Sequence, residues 1–134
     1  MARALLLAAI AACVLSAQAP PGVPAEPPEE DDALAGHRQY VFNPLQAKKE
    51  ITTGDFYTKR GNHKAAAGRY LEATLWDEFS PDGHFKLGEA REKLKDYDGA
   101  REAFTRFIAL TPDKKKADDI RKRMAKWPAA TNAK

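Results

Sequence analysis

The chain of 134 residues is poor in the residue types on which catalysis and cross-linking depend. Its one cysteine, Cys13, excludes an internal disulfide. Its two serines are Ser16 and Ser80, and no two of its three histidines have the four-residue spacing typical of a helical metal site. A phosphate-binding glycine loop and a nucleophile elbow are also absent from the sequence. The sequence therefore predicts a non-enzymatic protein without a cofactor or metal.

The N-terminal 19 residues carry a single charge, Arg3, and have the layout of a secretory signal. Their apolar part is shorter than the ~20 residues that a transmembrane helix needs. Ile10-Ala11-Ala12-Cys13 resembles the bacterial lipoprotein box. The resemblance implies cleavage before Cys13 and acylation of that residue, which would anchor an exported protein to the outer membrane on its periplasmic side. A plain secretory signal that happens to contain a cysteine is the alternative.

Residues 20–36 contain five prolines and five acidic residues and no basic residue. Such a composition buries almost no apolar surface, so it predicts a disordered tether, or a leader without a role. A folded domain is expected over residues 37–128, followed by a disordered tail over 129–134. Residues 37–134 hold 21 basic and 14 acidic residues, a net charge of +7.

Helix-capping pairs recur along the predicted domain. Asn43-Pro44, Ser80-Pro81 and Thr111-Pro112 each combine an N-cap side chain with a proline at the first helical position. Asn62 and Asp96 are two further N-cap candidates, the former directly after Gly61. These signals predict five helices, at about 44–60, 63–77, 81–94, 97–110 and 112–126.

The sequence repeats at an interval of 34 residues. The shift aligns identical residues at two positions, Gly54 with Gly88 and Ala66 with Ala100, and similar residues at two others, Asn62 with Asp96 and Tyr70 with Phe104. This pattern resembles the tetratricopeptide repeat, a helical hairpin in which small residues mark the close approach of the two helices. The resemblance implies an all-α fold, a short array of two hairpins that binds other proteins.

Both ends of this short array need to be covered. In the last predicted helix Ala117, Ile120, Met124 and Trp127 form one apolar stripe among charged residues, as expected of a terminal capping helix. Stacked repeats usually need about three units for stability. We therefore expect the segment Tyr40-Val41-Phe42 to pack against the first hairpin, unless the domain docks to a partner instead.

A closer resemblance lies around the first hairpin. Segments 43–51, 54–57 and 59–66 and the pair Arg69-Tyr70 are similar to the tetratricopeptide lipoproteins of the outer-membrane β-barrel assembly machinery and their relatives. The lipoprotein box and the proline-rich tether fit that family. The resemblance implies a scaffold of the bacterial cell envelope that binds other envelope proteins or peptides and is linked to outer-membrane protein assembly.

The repeat register also predicts which residues face a partner. In tetratricopeptide repeats the first helix of each hairpin lines the concave face, which here places Lys48, Ile51, Asp55, Thr58, Lys59, Asp82, Phe85, Glu89, Glu92 and Lys93 on it. From these we predict partner binding by Ile51, Asp55, Thr58, Phe85, Glu89 and Glu92. Apolar Ile51 and Phe85 beside acidic Asp55 and Glu89 would suit a peptide with an apolar anchor and a basic residue. Alternatively, neighbouring helices or residues 40–42 cover Ile51 and Phe85.

Runs of basic residues support a different class of function. Lys59-Arg60, Lys114-Lys115-Lys116 and Arg121-Lys122-Arg123 would suit a basic helical module that binds anionic surfaces or nucleic acid. Export from the cytoplasm argues against nucleic acid. Solvated helix faces are the simpler interpretation of such runs.

Overall fold

Five α-helices and no strand make up the part of the chain that the computed structural model describes, residues 39–131. The helices are α1 Pro44–Lys59, α2 His63–Trp76, α3 Pro81–Lys93, α4 Tyr97–Leu110 and α5 Lys114–Met124. The all-α prediction is thereby confirmed. The predicted signal region with Cys13, the tether at 20–36 and residues 132–134 of the predicted tail lie outside the described residues. Within the described residues, no helix combines the length and hydropathy needed to cross a bilayer.

Four of the predicted N-caps form as expected. Asn43 Oδ1 accepts a hydrogen bond from the backbone N–H of Gln46, at 3.0 Å. The side chains of Asn62, Ser80 and Asp96 accept the equivalent bond from the third residue after them. Each bond satisfies a backbone donor that the first turn of a helix leaves without an intrahelical acceptor.

The start of α5 was predicted wrongly. Asp113 rather than Thr111 is its N-cap, and the helix begins at Lys114 rather than at Pro112. Thr111 still belongs to the end of α4, because its backbone N–H donates to Phe107 O at 2.8 Å. The Asp113 carboxylate, by contrast, accepts from Lys116 N at 3.0 Å. A carboxylate also interacts favourably with the positive end of the helix dipole.

The two hairpins, α1–α2 and α3–α4, pack through matched pairs of small and large residues. A Cβ atom placed on Gly54 would lie 2.4 Å from Tyr70 Cε1, and one placed on Gly88 would lie 2.8 Å from Phe104 Cδ1. Tyr70 and Phe104 are both buried. Each glycine therefore makes room for the aromatic ring of the next helix, and the 34-residue register is confirmed.

The turns inside the two hairpins share one backbone feature. Gly61 has φ +74°, and Lys95, 34 residues later, has φ +61°. Left-handed backbone favours glycine, since other L-residues meet a clash between Cβ and the carbonyl oxygen. The turn geometry is thus the same in both hairpins, although only the first has a glycine at this position.

Helix α5 closes the C-terminal end of the array, as predicted. Ala117 and Ile120 are buried. Ile120 forms a core cluster with Ala100, Phe104 and Phe107, against which Met124 and Trp127 pack. The opposite side of α5 is charged and exposed. The helix therefore covers the second hairpin with its apolar stripe and presents a hydrated face to solvent.

The prediction for residues 40–42 holds for one residue of the three. The Tyr40 ring packs edge-on against Trp76, with centroids 5.0 Å apart, and its hydroxyl donates to both carboxylate oxygens of Glu72. Val41 and Phe42, however, remain 71% and 64% exposed. Tyr40 therefore packs on the end of α2, whereas the two residues after it are largely open to solvent.

Candidate partner-binding groove

An open groove of about 160 Å³ lies between the two hairpins, beside the Arg123 side chain of α5. Its walls come from four helices, α1, α2, α3 and α5. The lining residues are Asp55, Thr58, His63, Tyr70, Lys86, Glu89, Ala90, Lys93 and Arg123. Polar side chains thus converge on a concave surface built from rigid helices, an arrangement suited to binding an extended segment of another protein.

A hydrogen-bonded network around Asp55 forms one side of the groove. The Lys86 ammonium lies 2.8 Å from Asp55 Oδ1, and the Tyr70 hydroxyl donates to the same oxygen at 2.7 Å. Thr58 Oγ1 lies 3.0 Å from the Tyr70 hydroxyl. The network joins α1 to α2 and to α3, so it holds the two hairpins in register.

The network shifts the pKa values of its members. Burial raises the pKa of Tyr70 well above its ordinary value, and its hydrogen bond to Asp55 acts in the same direction. Burial would raise the pKa of Asp55, but hydrogen bonds from Lys86 and Tyr70 outweigh it and the pKa is lowered. For Lys86, desolvation is outweighed by the bond to Asp55, and its pKa is raised. The carboxylate and the ammonium are therefore both charged at neutral pH.

Arg123 lines the side of the groove that lies next to Glu89. Its guanidinium makes two hydrogen bonds to the Glu92 carboxylate, that from Nε to Oε1 measuring 3.0 Å, and it lies 3.7 Å from Glu89 Oε1. The hydrogen bond to Glu92 raises the pKa of Arg123. Trp127 Nε1 also donates to Glu92 Oε1, at 3.2 Å. These contacts connect α3 to α5 and the residues that follow it.

The six predicted partner-binding residues occupy different surroundings. Asp55, Thr58 and Glu89 line the groove. Ile51 instead packs against the core cluster that contains Tyr57, Tyr70 and Leu87.

Phe85 and Glu92 make intramolecular contacts as well. The Phe85 ring contacts Phe104 and Phe107, and the Lys116 ammonium lies 3.8 Å from its centroid. Glu92 is bound by Arg123 and Trp127. Partner binding by Ile51, Phe85 and Glu92 stays a prediction, and each of these residues has a structural role besides.

Lys93 supplies a cation that the groove does not neutralise. Its side chain is exposed, and among residues 39–131 the structure has no ion pair to its ammonium. The acids Asp55, Glu89 and Glu92 each have a basic partner within 4 Å. The groove thus combines carboxylates that have ion-pair partners with an ammonium that has none within residues 39–131.

His63 adds an unsatisfied polar atom to the groove wall. Its Nδ1 is buried and has no hydrogen-bond partner in the described part of the chain. The His63 side chain is half-buried overall and lines the groove.

Lys86, Tyr70 and Arg123 were absent from the predicted site. Lys86 could have been predicted from the sequence. It lies seven residues before Lys93, and this spacing places both lysines on the same face of α3. Tyr70 and Arg123 reach the groove from α2 and α5, and only packing brings them there. Within residues 39–131 no group of three or more His, Cys, Asp and Glu side chains is arranged to hold a metal ion.

Comparison with known proteins identifies the second hairpin. Residues 81–114 match the family described as tetratricopeptide repeat. This range covers α3, α4 and the connection to α5. No curated protein matches the chain. The chain thus carries a tetratricopeptide repeat within a short helical array, and repeats of this kind are typically non-catalytic modules for protein–protein interaction.

Proposed function

We propose that this protein is a non-enzymatic scaffold of the bacterial cell envelope that binds an acidic segment of a partner protein in the groove between its hairpins. The observation that carries the proposal is the charge state of the groove, where every carboxylate has a basic partner and Lys93 does not. An ammonium without a partner favours a carboxylate on the ligand, because charge-assisted hydrogen bonds are stronger than neutral ones. The tetratricopeptide repeat at 81–114 supports a protein as the ligand.

Reversing the charge of Lys93 tests whether the groove binds the partner. We expect Lys93→Glu to reduce recovery of partner proteins from detergent-solubilised bacterial envelopes by about tenfold or more, since it replaces an attraction by a repulsion. Bound proteins are quantified by mass spectrometry after capture on the immobilised full chain. Lys122→Glu is the matched control, because Lys122 also lies in the last turn of a helix and is exposed, but outside the groove.

The Lys122→Glu control also distinguishes a protein that binds partners in its groove from one that binds anionic surfaces through α5. If Lys122→Glu loses the partners and Lys93→Glu retains them, the basic face of α5 binds them and the protein acts as an anionic-surface binder. That alternative is favoured by the exposure of Lys114, Lys115 and Lys122. Equal recovery by wild type and both variants would contradict binding through either surface.

The envelope location rests on the sequence of the N-terminal region. We propose that Cys13 is acylated and that the protein is held at the periplasmic face of the outer membrane, in keeping with the resemblance to the lipoproteins of the β-barrel assembly machinery. A membrane-held scaffold with a protein-binding groove is suited to a role in outer-membrane protein assembly.

Metabolic labelling tests the anchor. In a Gram-negative host, labelled palmitate is expected to enter the wild-type chain, whereas Cys13→Ser should lose both the label and its retention in the membrane fraction. Several acyl chains on one residue hold a protein far more stably than one chain does, so the loss of retention should be nearly complete. Absence of label from the wild type would favour the plain secretory signal and leave the groove experiment unaffected.

A further inference from the structure

A cluster of exposed apolar side chains lies away from the groove, at the end of the array where α1 begins and α2 ends. We call it the end patch. It consists of Val41, Phe42, Leu45 and Phe79, which are 71%, 64%, 73% and 62% exposed. The rings of Phe42 and Phe79 meet edge-on with centroids 6.5 Å apart. Four large apolar side chains exposed together are unusual on a monomeric protein and indicate an interaction surface.

The end patch is held in one conformation by its neighbours. The backbone N–H of Asn43 donates to Trp76 O at 2.8 Å, which fixes the chain beside Phe42 to the end of α2. Phe79 N donates to Asp77 Oδ1 at 3.0 Å, which fixes the loop that carries the second ring. A surface ordered in this way loses little conformational entropy when it is covered.

The rim of the end patch carries opposite charges on its two sides. Lys48 and Lys49 follow Leu45 by about one turn of α1, and both are exposed without an ion pair in the described residues. Glu78 directly precedes Phe79 on the other side. Its carboxylate lies 3.8 Å from the Arg106 guanidinium, and both side chains are more than half exposed, so that pairing is weak.

We infer that the end patch is the contact surface of a homodimer, with a second copy of this chain as its occupant. A two-fold axis through the Phe42–Phe79 pair would set the Lys48–Lys49 side of each copy against the Glu78 side of the other. The patch is thus complementary to itself in charge as well as in apolar character. An anionic membrane would attract Lys48 and Lys49 but repel Glu78, whereas a second copy of the chain offers each of them an opposite charge. The inference concerns a surface separate from the groove and does not depend on the proposed function.

Sedimentation velocity tests the dimer. The measurement uses the full chain with Cys13→Ser, because this substitution excludes association through acyl chains. The chain is expected to show a monomer–dimer equilibrium, and Phe42→Ser combined with Phe79→Ser should weaken it about 30-fold or more, as loss of a central aromatic pair does. Leu94→Ser is the matched control. Leu94 is also exposed, but it lies outside the end patch, at the C-terminal end of α3. A monomer up to about 1 mM, or a dimer that the paired serine variant leaves intact, overturns the inference.

Charge exchange distinguishes a self-complementary contact from any other. Lys49→Glu and Glu78→Lys should each weaken self-association, because each sets like charges face to face. An equimolar mixture of the two variants should form heterodimers with about the wild-type affinity, since both rims of the mixed pair then combine opposite charges. Circular dichroism confirms that each variant is folded. A mixture that associates no better than the separate variants overturns the two-fold arrangement.

Discussion

Phe104→Ala is expected to lower the free energy of unfolding by about 3–5 kcal/mol, the usual range for the loss of a buried aromatic side chain. Phe104 is fully buried, and its ring lies 5.8 Å from that of Phe85 and 5.9 Å from that of Trp127. It therefore joins α3, α4 and the residues after α5. Its removal leaves a cavity at their junction that rigid helices cannot close.

Urea denaturation followed by circular dichroism at the helical band measures this effect. Thr105→Ala is the control, because Thr105 is the next residue of α4 and is exposed. Its free energy of unfolding should stay within about 0.5 kcal/mol of the wild type. Small domains have a total stability of roughly 5–15 kcal/mol, so Phe104→Ala should shift the midpoint strongly. Similar midpoints for the two variants would contradict the central role of this ring.

Ala100→Leu should destabilise the protein by about 1–3 kcal/mol through overpacking. Ala100 is 0% exposed and belongs to the same core cluster as Phe104 and Ile120. Leucine has a helix propensity close to that of alanine, so the expected loss comes from the added volume rather than from the backbone. The three additional carbons have to displace α4 from its neighbours.

Ala129→Leu is the control for this prediction, since Ala129 is exposed beyond α5. The same chemical change at that position should leave the urea midpoint almost unchanged. Thermal melts of both variants provide an independent measure of the same difference. If Ala100→Leu melts with the wild type, the 34-residue register that pairs Ala66 with Ala100 does not describe the packing.

The N-capping residues were enough to predict where four of the five described helices begin. Asn43, Asn62, Ser80 and Asp96 cap their helices because each bond joins a side chain to a backbone donor only three residues away. The start of α5 is the exception. There Thr111 was the predicted cap, but it still belongs to the end of α4, and Asp113 caps α5 instead.

The candidate site was predictable only in part. Repeat register places Asp55, Thr58 and Glu89 on the concave surface, and they line the groove. Their charge environment was not predictable, because the decisive partners are distant in the chain. Lys86 binds Asp55 and Arg123 binds Glu92, each pair being 31 residues apart in sequence. These two contacts are the reason why we propose an acidic ligand for the groove rather than the basic one expected from the sequence.

Capping and repeat periodicity act over short or regular distances, so the number and order of the helices and the register that aligns Gly54 with Gly88 and Tyr70 with Phe104 could be predicted from the amino-acid sequence. Which charges have ion-pair partners and which apolar side chains are covered depends instead on the packing of the helices. Tyr40 packs on Trp76, whereas Phe42, two residues later, is exposed. Exposure depends on surface supplied by remote parts of the chain, so it is a property of the packed molecule rather than of any local segment.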